Sequence, residues 1–273
     1  MGIMESKKVN NVVLFDMDGT LTPARKSIEQ DMEEALMALS RVAKVGIVTG
    51  STFEYVMQQC GSLFRSNKDF SNFLILPCNG TQKYSWDRNE WESGLWQKDF
   101  SLDMREHLGE KKYRVLVSVL IERLYILSLS HQYKIPTTGN FISYRDSLVN
   151  FCPIGRSANN QDREEFKKYD QENNLRLEVL KKLKNNELSK DLAFSLGGNT
   201  SIDIYPHGWD KTYALNYYEG HNHWFVGDRC TVETGNDKPI YDKVRENTPN
   251  QAFEVKNPQE TIKIIDRIIQ SLI

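Results

Sequence analysis

The chain has 273 residues, 39% of them hydrophobic and 26% charged, with a formal net charge of −2. That length accommodates one large domain or two of ordinary size. The near-neutral balance offers neither a basic face for nucleic acid nor a polybasic patch for a membrane surface, and apolar runs such as FLILPC (73–78) are far too short to span a bilayer.

The opening stretch MGIMESKKVNN has neither the apolar core of a signal peptide nor the Arg/Ser bias of a transit peptide. Four cysteines (Cys60, Cys78, Cys152, Cys230) follow no metal-binding spacing and suit a reducing compartment, so a cytoplasmic location is expected. VVLF (12–15) predicts a buried strand. Ser27-Ile28-Glu29-Gln30 reads as a capping box that opens a helix with Met32, Ala35, Leu36 and Leu39 on one face. VGIV (45–48) predicts a second strand, Ser51-x-x-Glu54 a second capping box, and FLILPC a third strand. Strand, helix, strand, helix, strand is the rhythm of a parallel sheet.

That rhythm breaks after about residue 85. YSWDRNEWESGLWQKDF carries three of the five tryptophans and no clear period. The β-prone stretches FISYR, LVNFCPI, LAFSLGG and TSIDIYP then surround one long amphipathic helix at about 160–185. They predict an antiparallel sheet with helices, an α+β domain inserted into the first. The α/β rhythm resumes with a helix in GWDKTYALNYY (208–218), a strand in HWFVGD (223–228) and a last short strand in QAFEV (251–255). Asn257-Pro258 starts the final helix, with Ile262, Ile265, Ile269 and Leu272 inward. The expected fold is α/β, a Rossmann-like parallel-sheet core made of residues 1–87 and 207–273, with an inserted α+β cap domain (antiparallel sheet plus helices) over 88–206.

The strongest chemical signal is LFDMDGTLT (14–22). Asp16 and Asp18 directly follow the buried strand, where side chains of an α/β sheet meet ligands. A carboxylate there can attack phosphorus, and a second one two residues on can give and take the proton of the leaving or attacking oxygen. An Asx turn would explain one Asp and the Gly, but not Asp-x-Asp-Gly-Thr behind four apolar residues. In the predicted insertion, Arg145 ends a strand, Arg156 follows a turn glycine, and Arg163 opens a helix, where a cation opposes the dipole. Each alone could be a surface residue paired with Asp146, Asp162, Glu164 or Glu165. Three together point to a bound anion.

DMDGTLT resembles the first motif of the haloacid-dehalogenase-like phosphotransferases, and VTGS (48–51), Lys211 in GWDK and VGDRCTVETGND (226–237) are similar to the other three, in order. RDSLVNFCPIGRSANNQDREEF (145–166) resembles the cap signature of eukaryotic-type phosphomannomutases. Thr22-Pro23-Ala24-Arg25, FEYVMQQCG, PCNG and SLGGNTSIDIYPHGWDK (195–211) extend that likeness over about residues 12–270. The resemblance implies Asp16 as nucleophile and Asp18 as acid/base, with Thr49 and Lys211 holding the phosphoryl group. It implies Mg²⁺ on Asp16, Asp228, Asp237 and the backbone carbonyl of Asp18, and sugar-phosphate contacts from Arg25, Arg145, Arg156, Arg163, Ser201 and Asp203. The expected reaction interconverts mannose 6-phosphate and mannose 1-phosphate through an aspartyl-phosphate and a hexose bisphosphate, feeding GDP-mannose synthesis and N-glycosylation. A hexose 1,6-bisphosphate activator and a homodimer through the cap also belong to that expectation; nucleic acid and membrane do not. The chain departs from the family at Thr49-Gly50, where two glycines are usual, and between Asp228 and Asp237, where it is one residue longer. The alternatives are a Mg²⁺-dependent sugar-phosphate phosphatase of the same superfamily and a non-catalytic sugar-phosphate-binding protein.

Overall fold

A computed structural model describes residues 10–65, 69–87, 95–129 and 135–273. The stretch MGIMESKKV and the middle of the tryptophan-rich segment, both read above from sequence, lie outside the described residues. In chain order the first elements are β1 (Asn11–Phe15), α1 (Gln30–Leu39), β2 (Lys44–Val48), α2 (Phe53–Cys60), β3 (Phe73–Leu76), β4 (Gln82–Asp87) and β5 (Leu95–Ser101). Then come α3 (Met104–Leu108), α4 (Glu110–Leu129), β6 (Ile142–Tyr144), β7 (Val149–Phe151), α5 (Asn160–Asn173), α6 (Leu175–Lys184), β8 (Leu192–Gly197) and β9 (Ser201–Pro206). A 3₁₀ segment (Lys211–Tyr218), β10 (Asn222–Gly227), α7 (Lys238–Arg245), β11 (Gln251–Glu254) and α8 (Pro258–Leu272) complete the chain.

Two compact units result. The first holds the chain up to Phe100 together with Lys211–Val232 and Asp237–Ile273; the second holds Ser101–Asp210 and Glu233–Asn236. The first unit therefore extends past residue 87, the limit expected from sequence. It is built on a sheet ordered β11-β10-β1-β2-β3-β4-β5, parallel from β11 to β3, with β4 antiparallel to β3. β1 is apolar from Val12 to Phe15 because both of its faces are covered there. Val13 and Phe15 pack with Val45, Ile47 and Ile75 against α1 and α8, whereas Val12 and Leu14 pack with Val48, Leu76 and Phe225 against the 3₁₀ segment and α7. Each such side chain contributes about 1.5–3 kcal/mol when fully buried. The aperiodic tryptophan stretch contributes the neighbouring strands β4 and β5 at one edge of the sheet. Trp86 and Trp96 meet edge to face at 5.5 Å, and Phe64 and Phe70 close the cluster, so these two tryptophans form local core.

The second unit has an antiparallel sheet ordered β6-β7-β9-β8, with α6 packed against β8 and β9. Its helices depart from the sequence reading in two ways. The single helix expected at about 160–185 is two, because Asn174 takes a left-handed conformation (φ 54°, ψ 33°) that ends α5 and starts α6. Asn tolerates that region better than most residues. Helix α4 lies in a stretch for which no element was expected. VLVSVLIERLYILSL is apolar around the whole helix and rich in branched residues, so it shows no stripe of period 3.6.

Neither expected capping box forms. α1 starts at Gln30 behind Glu29, and α2 at Phe53 behind Thr52, with no side-chain cap at either end. A reciprocal box does close on α5: Asp162 N–H donates to Asn159 Oδ1 at 2.9 Å, and Asn159 N–H donates to Asp162 Oδ2 at 3.2 Å.

Candidate active site

Because β10, β1 and β2 are adjacent and parallel, the residues that follow them emerge at one edge of the sheet: Asp228, Asp16 and Thr49. The chain leaves β1 towards β2 on one side and returns as β10 on the other. That reversal is the switch point at which open α/β sheets bind ligands. Lys211, the first residue of the 3₁₀ segment, and Asp237, at the start of α7, complete a group of charges there.

The Lys211 ammonium, 1% exposed, donates to Asp16 Oδ1 and, at 2.5 Å, to Asp237 Oδ1. One carboxylate oxygen each from Asp16, Asp228 and Asp237 lies within 4.8 Å of the others. Burial pushes the Asp16 carboxyl well above its ordinary range, with Lys211 pulling the other way and Asp237 and Asp228 adding repulsion. Burial, reinforced by Asp237, pushes Asp228 up to about 7, despite Lys211 and Arg229. Burial alone would draw Lys211 down, but the charges of Asp16 and Asp237 overcome it and hold the ammonium in its charged form.

The group is short of positive charge, and its donors are hard oxygens, the set that a divalent cation such as Mg²⁺ takes. A cation there would reverse the upward shifts of both carboxyls. Gly19 explains how the loop fits. Its φ is +89°, and a Cβ on it would sit 2.5 Å from Asp228 Oδ2, so a larger residue would displace a carboxylate of the group.

Thr49 Oγ1 accepts the N–H of Ser51 at 3.1 Å, which leaves the hydroxyl proton for an anion. Asp18 is half-buried and turned elsewhere. Its Oδ1 accepts the N–H of Arg25 at 3.0 Å and the amide of Gln59 at 3.1 Å. The Asp18 side chain is thus separate from the Asp16, Asp228 and Asp237 group, so any part for Asp18 in holding a cation would fall to its carbonyl. Arg25 itself is exposed, with φ at 63°.

Within the second unit, Arg145 and Arg163 lie close enough to Arg156 to act on its charge. Burial lowers the proton affinity of Arg156, and the charges of Arg145 and Arg163 lower it further. The Asp203 carboxylate pulls the other way and offsets part of that repulsion. Arg156 donates to Asn150 Oδ1 at 3.1 Å, and Asn150 donates to Asp203 Oδ1 at 2.6 Å across the β7–β9 pairing. Gly197 makes room for that carboxylate: a Cβ there would lie 2.6 Å from Asp203 Oδ2. Ser201 donates to the carbonyl of Gly197 at 2.8 Å, closing the turn that carries it.

Arg163 is held inward, donating to the carbonyls of Ala158 (2.9 Å) and Arg156 (2.6 Å) and to Thr200 Oγ1 (3.0 Å). Its position in the first turns of α5 thus has a local explanation: it fastens the main chain of Arg156 and the β8–β9 turn.

A family model described as eukaryotic phosphomannomutase matches residues 32–271. Phosphomannomutase 2 of Dictyostelium discoideum is 34% identical over 268 residues, covering 96% of this chain and 97% of that protein. The phosphomannomutase of Saccharomyces cerevisiae is 33% identical over 265 residues, covering 96% and 95%.

The chain belongs to the eukaryotic phosphomannomutase family. It is an enzyme of that family, and among solved structures it shares the fold of an IMP-bound, N-terminally truncated IMP-nucleotidase of Plasmodium falciparum (TM-score 0.62, 15% identity, 95% of this chain and 68% of that one).

Several side chains that build the two charged groups of this family member were not singled out by the sequence reading. Asn150 bridges Arg156 and Asp203, and a buried amide in the apolar strand VNF was its signal. Arg176, 7% exposed, pairs with Asp170 at 2.7 Å and donates to the carbonyls of Gly198 and Ser201, which holds the β8–β9 turn from below. Glu254 accepts from the N–H groups of Cys230 and Thr231, both at 2.9 Å, and steadies the loop after Asp228. Nothing in sequence spacing marks these last two, because each acts across distant segments.

Proposed function

We propose that the protein is a phosphomannomutase that interconverts mannose 6-phosphate and mannose 1-phosphate. The observation that carries this reading is Asp16 at a strand end, braced by a buried Lys211 beside Asp228 and Asp237, in a chain whose second unit gathers three guanidinium groups. Asp16 attacks phosphorus and takes the phosphoryl group as an aspartyl-phosphate. Asp18 protonates the departing sugar oxygen and takes a proton back when the opposite hydroxyl attacks. Lys211 and the Thr49 hydroxyl steady the phosphoryl oxygens. Asp16, Asp228, Asp237 and the carbonyl of Asp18 would hold Mg²⁺, whose charge offsets that of the phosphoryl group.

A hexose bisphosphate is the intermediate, so the substrate carries a second phosphate that must be held in either orientation. Arg145 and Arg156, steadied by Arg163, suit that phosphate, and Asp203 and Ser201 offer hydroxyl contacts, with Arg25 as a further cation. A hexose 1,6-bisphosphate serves as activator by phosphorylating Asp16. On this reading the enzyme acts in the cytoplasm and feeds GDP-mannose synthesis for N-glycosylation. It pairs as a homodimer through the second unit, where α4 exposes Val115, Ile121, Tyr125 and Leu129. No helix among the described residues is long and apolar enough to cross a membrane.

The test supplies mannose 1-phosphate, Mg²⁺ and glucose 1,6-bisphosphate, and follows mannose 6-phosphate and inorganic phosphate together. Mannose 6-phosphate should accumulate with little free phosphate. Free phosphate without mannose 6-phosphate would make the enzyme a phosphatase instead.

A further inference from the structure

Gln59, on α2, is 3% exposed, although nothing in the proposed chemistry calls for a glutamine. Its amide N–H donates to Asp18 Oδ1 at 3.1 Å, and its carbonyl Oε1 accepts the hydroxyl of Thr22 at 2.6 Å. Thr22 is fully buried and is tied to Asp18 again through a parallel backbone bridge. The phenol of Tyr55 also faces Gln59, beside Arg25. A side-chain amide can sit either way round, and its orientation follows from its partners. Here the carboxylate decides, since Asp18 Oδ1 can only accept, and that leaves the amide oxygen to the Thr22 hydroxyl. The hydroxyl of Thr22, which also lies 3.3 Å from the Met17 carbonyl, then donates to Gln59 at the shorter distance of 2.6 Å.

We propose that Gln59, locked by Thr22, is a positioning residue for the acid/base carboxyl of Asp18. This rests on the role given to Asp18 above. Two N–H donors, Gln59 and the main chain of Arg25, converge on Oδ1. Oδ2 is then the oxygen that carries the proton. In the first half of the reaction the sugar oxygen–phosphorus bond breaks and a bond from Asp16 to phosphorus forms, while the Oδ2 proton passes to the leaving oxygen. In the second half the attacking sugar hydroxyl gives its proton to Oδ2, a new sugar oxygen–phosphorus bond forms, and the bond to Asp16 breaks. Nothing is oxidised or reduced, and the proton count closes over the cycle.

A neutral amide suits this alternation. It can donate to Oδ1 whether Oδ2 is protonated or bare, and it adds no charge beside the carboxyl.

Gln59→Leu removes the donor, and Thr22→Val removes the hydroxyl that orients it while leaving Gln59 in place. Each is expected to lower kcat on mannose 1-phosphate by roughly 10- to 100-fold, a part of the ~10²–10⁴-fold that positioned proton transfer contributes, with KM little changed. Thr22→Ser should recover most of the activity. The burst of nitrophenolate from p-nitrophenyl phosphate, whose leaving group needs no proton, should survive in both impaired variants.

Wild-type kcat in Gln59→Leu and Thr22→Val overturns the proposal, and so does an equal loss with both substrates. Asp18→Asn is the control: if it keeps mutase turnover, the acid/base reading itself fails. If Asp18→Asn is dead while the Gln59 and Thr22 variants are normal, only the positioning role fails.

Discussion

Replacing Lys211 by Met keeps a long unbranched side chain but removes the ammonium shared by Asp16 and Asp237. Breaking a buried ion pair by deleting one partner costs about 3–5 kcal/mol. In a unit of this size each kcal/mol is worth about 2–4 °C, so without metal the variant should melt roughly 6–20 °C below wild type. If the loss is electrostatic, it must depend on pH with a definite sign. A carboxyl whose folded pKa lies above its unfolded value stabilises the fold below the unfolded pKa and loses that contribution as pH rises through the folded one. Asp228 fits that case, with a window from 3.8 to about 7, and Asp16 is raised in the same direction. The Lys211→Met deficit should therefore be smaller at pH 5 than at pH 8. Mg²⁺ should stabilise the variant itself by about 2.7 kcal/mol at a concentration a hundred times its Kd. Thermal and urea melts in EDTA and in Mg²⁺ between pH 5 and 8 measure all three effects. A deficit of the same size at both pH values would assign the loss to packing. An unchanged melting temperature would refute the balance of charges itself.

Asp16→Asn should give no hydroxylamine-labile phosphoenzyme from labelled glucose 1,6-bisphosphate, yet melt no lower than wild type, because burial already disfavours the Asp16 charge. Arg163→Ala should raise KM for mannose 1-phosphate while leaving Mg²⁺ affinity unchanged, and Lys at that position should not rescue it, since a point charge cannot reach Ala158, Arg156 and Thr200 together. Arg176→Met leaves Asp170 unpaired in the interior and should cost about 3–5 kcal/mol. Faster amide exchange over residues 198–201 would mark the loosened turn. Asn174→Ala places a β-carbon in the left-handed region and should cost about 1–2 kcal/mol in urea unfolding.

The alternation of strand and helix was legible because each buried strand is a short apolar run set off by turn residues. VVLF and VGIV are apolar on both faces, as a central parallel strand must be. The order of strands was not legible in residues alone, since the return of the chain beside β1 as β10 is a long-range choice. Asp16 and Asp18 were readable because the chemistry places them two residues apart. Their separation into different environments was not. Only the fold shows Asp16 turned to Lys211 and Asp18 turned to Gln59. Helix α4 escaped notice because its apolar residues surround it, and the α5–α6 break because one Asn carries no period. Arg163 was legible as an ill-placed cation, but its partners are two carbonyls and a hydroxyl that no sequence pattern links.

The two charged groups pose the same physical problem with opposite sign. The first unit buries three carboxylates around one ammonium, and the second brings three guanidinium groups close enough to lower the proton affinity of Arg156. Such groups oppose folding, and a protein selected for stability alone would pack apolar side chains in their place. Each is therefore held by fixed local contacts: Gly19 and the Glu254-bound loop on one side, Asn150, Gly197 and the hydrogen bonds of Arg163 on the other. Free energy withheld from folding in this way is recovered when a ligand of the opposite charge binds. On the proposed function a divalent cation answers the first group and a phosphate the second, so each should stabilise the protein through its own unit. A reaction that must grip one phosphate while transferring another needs both kinds of group at once, whereas simple hydrolysis of a monophosphate needs the first alone.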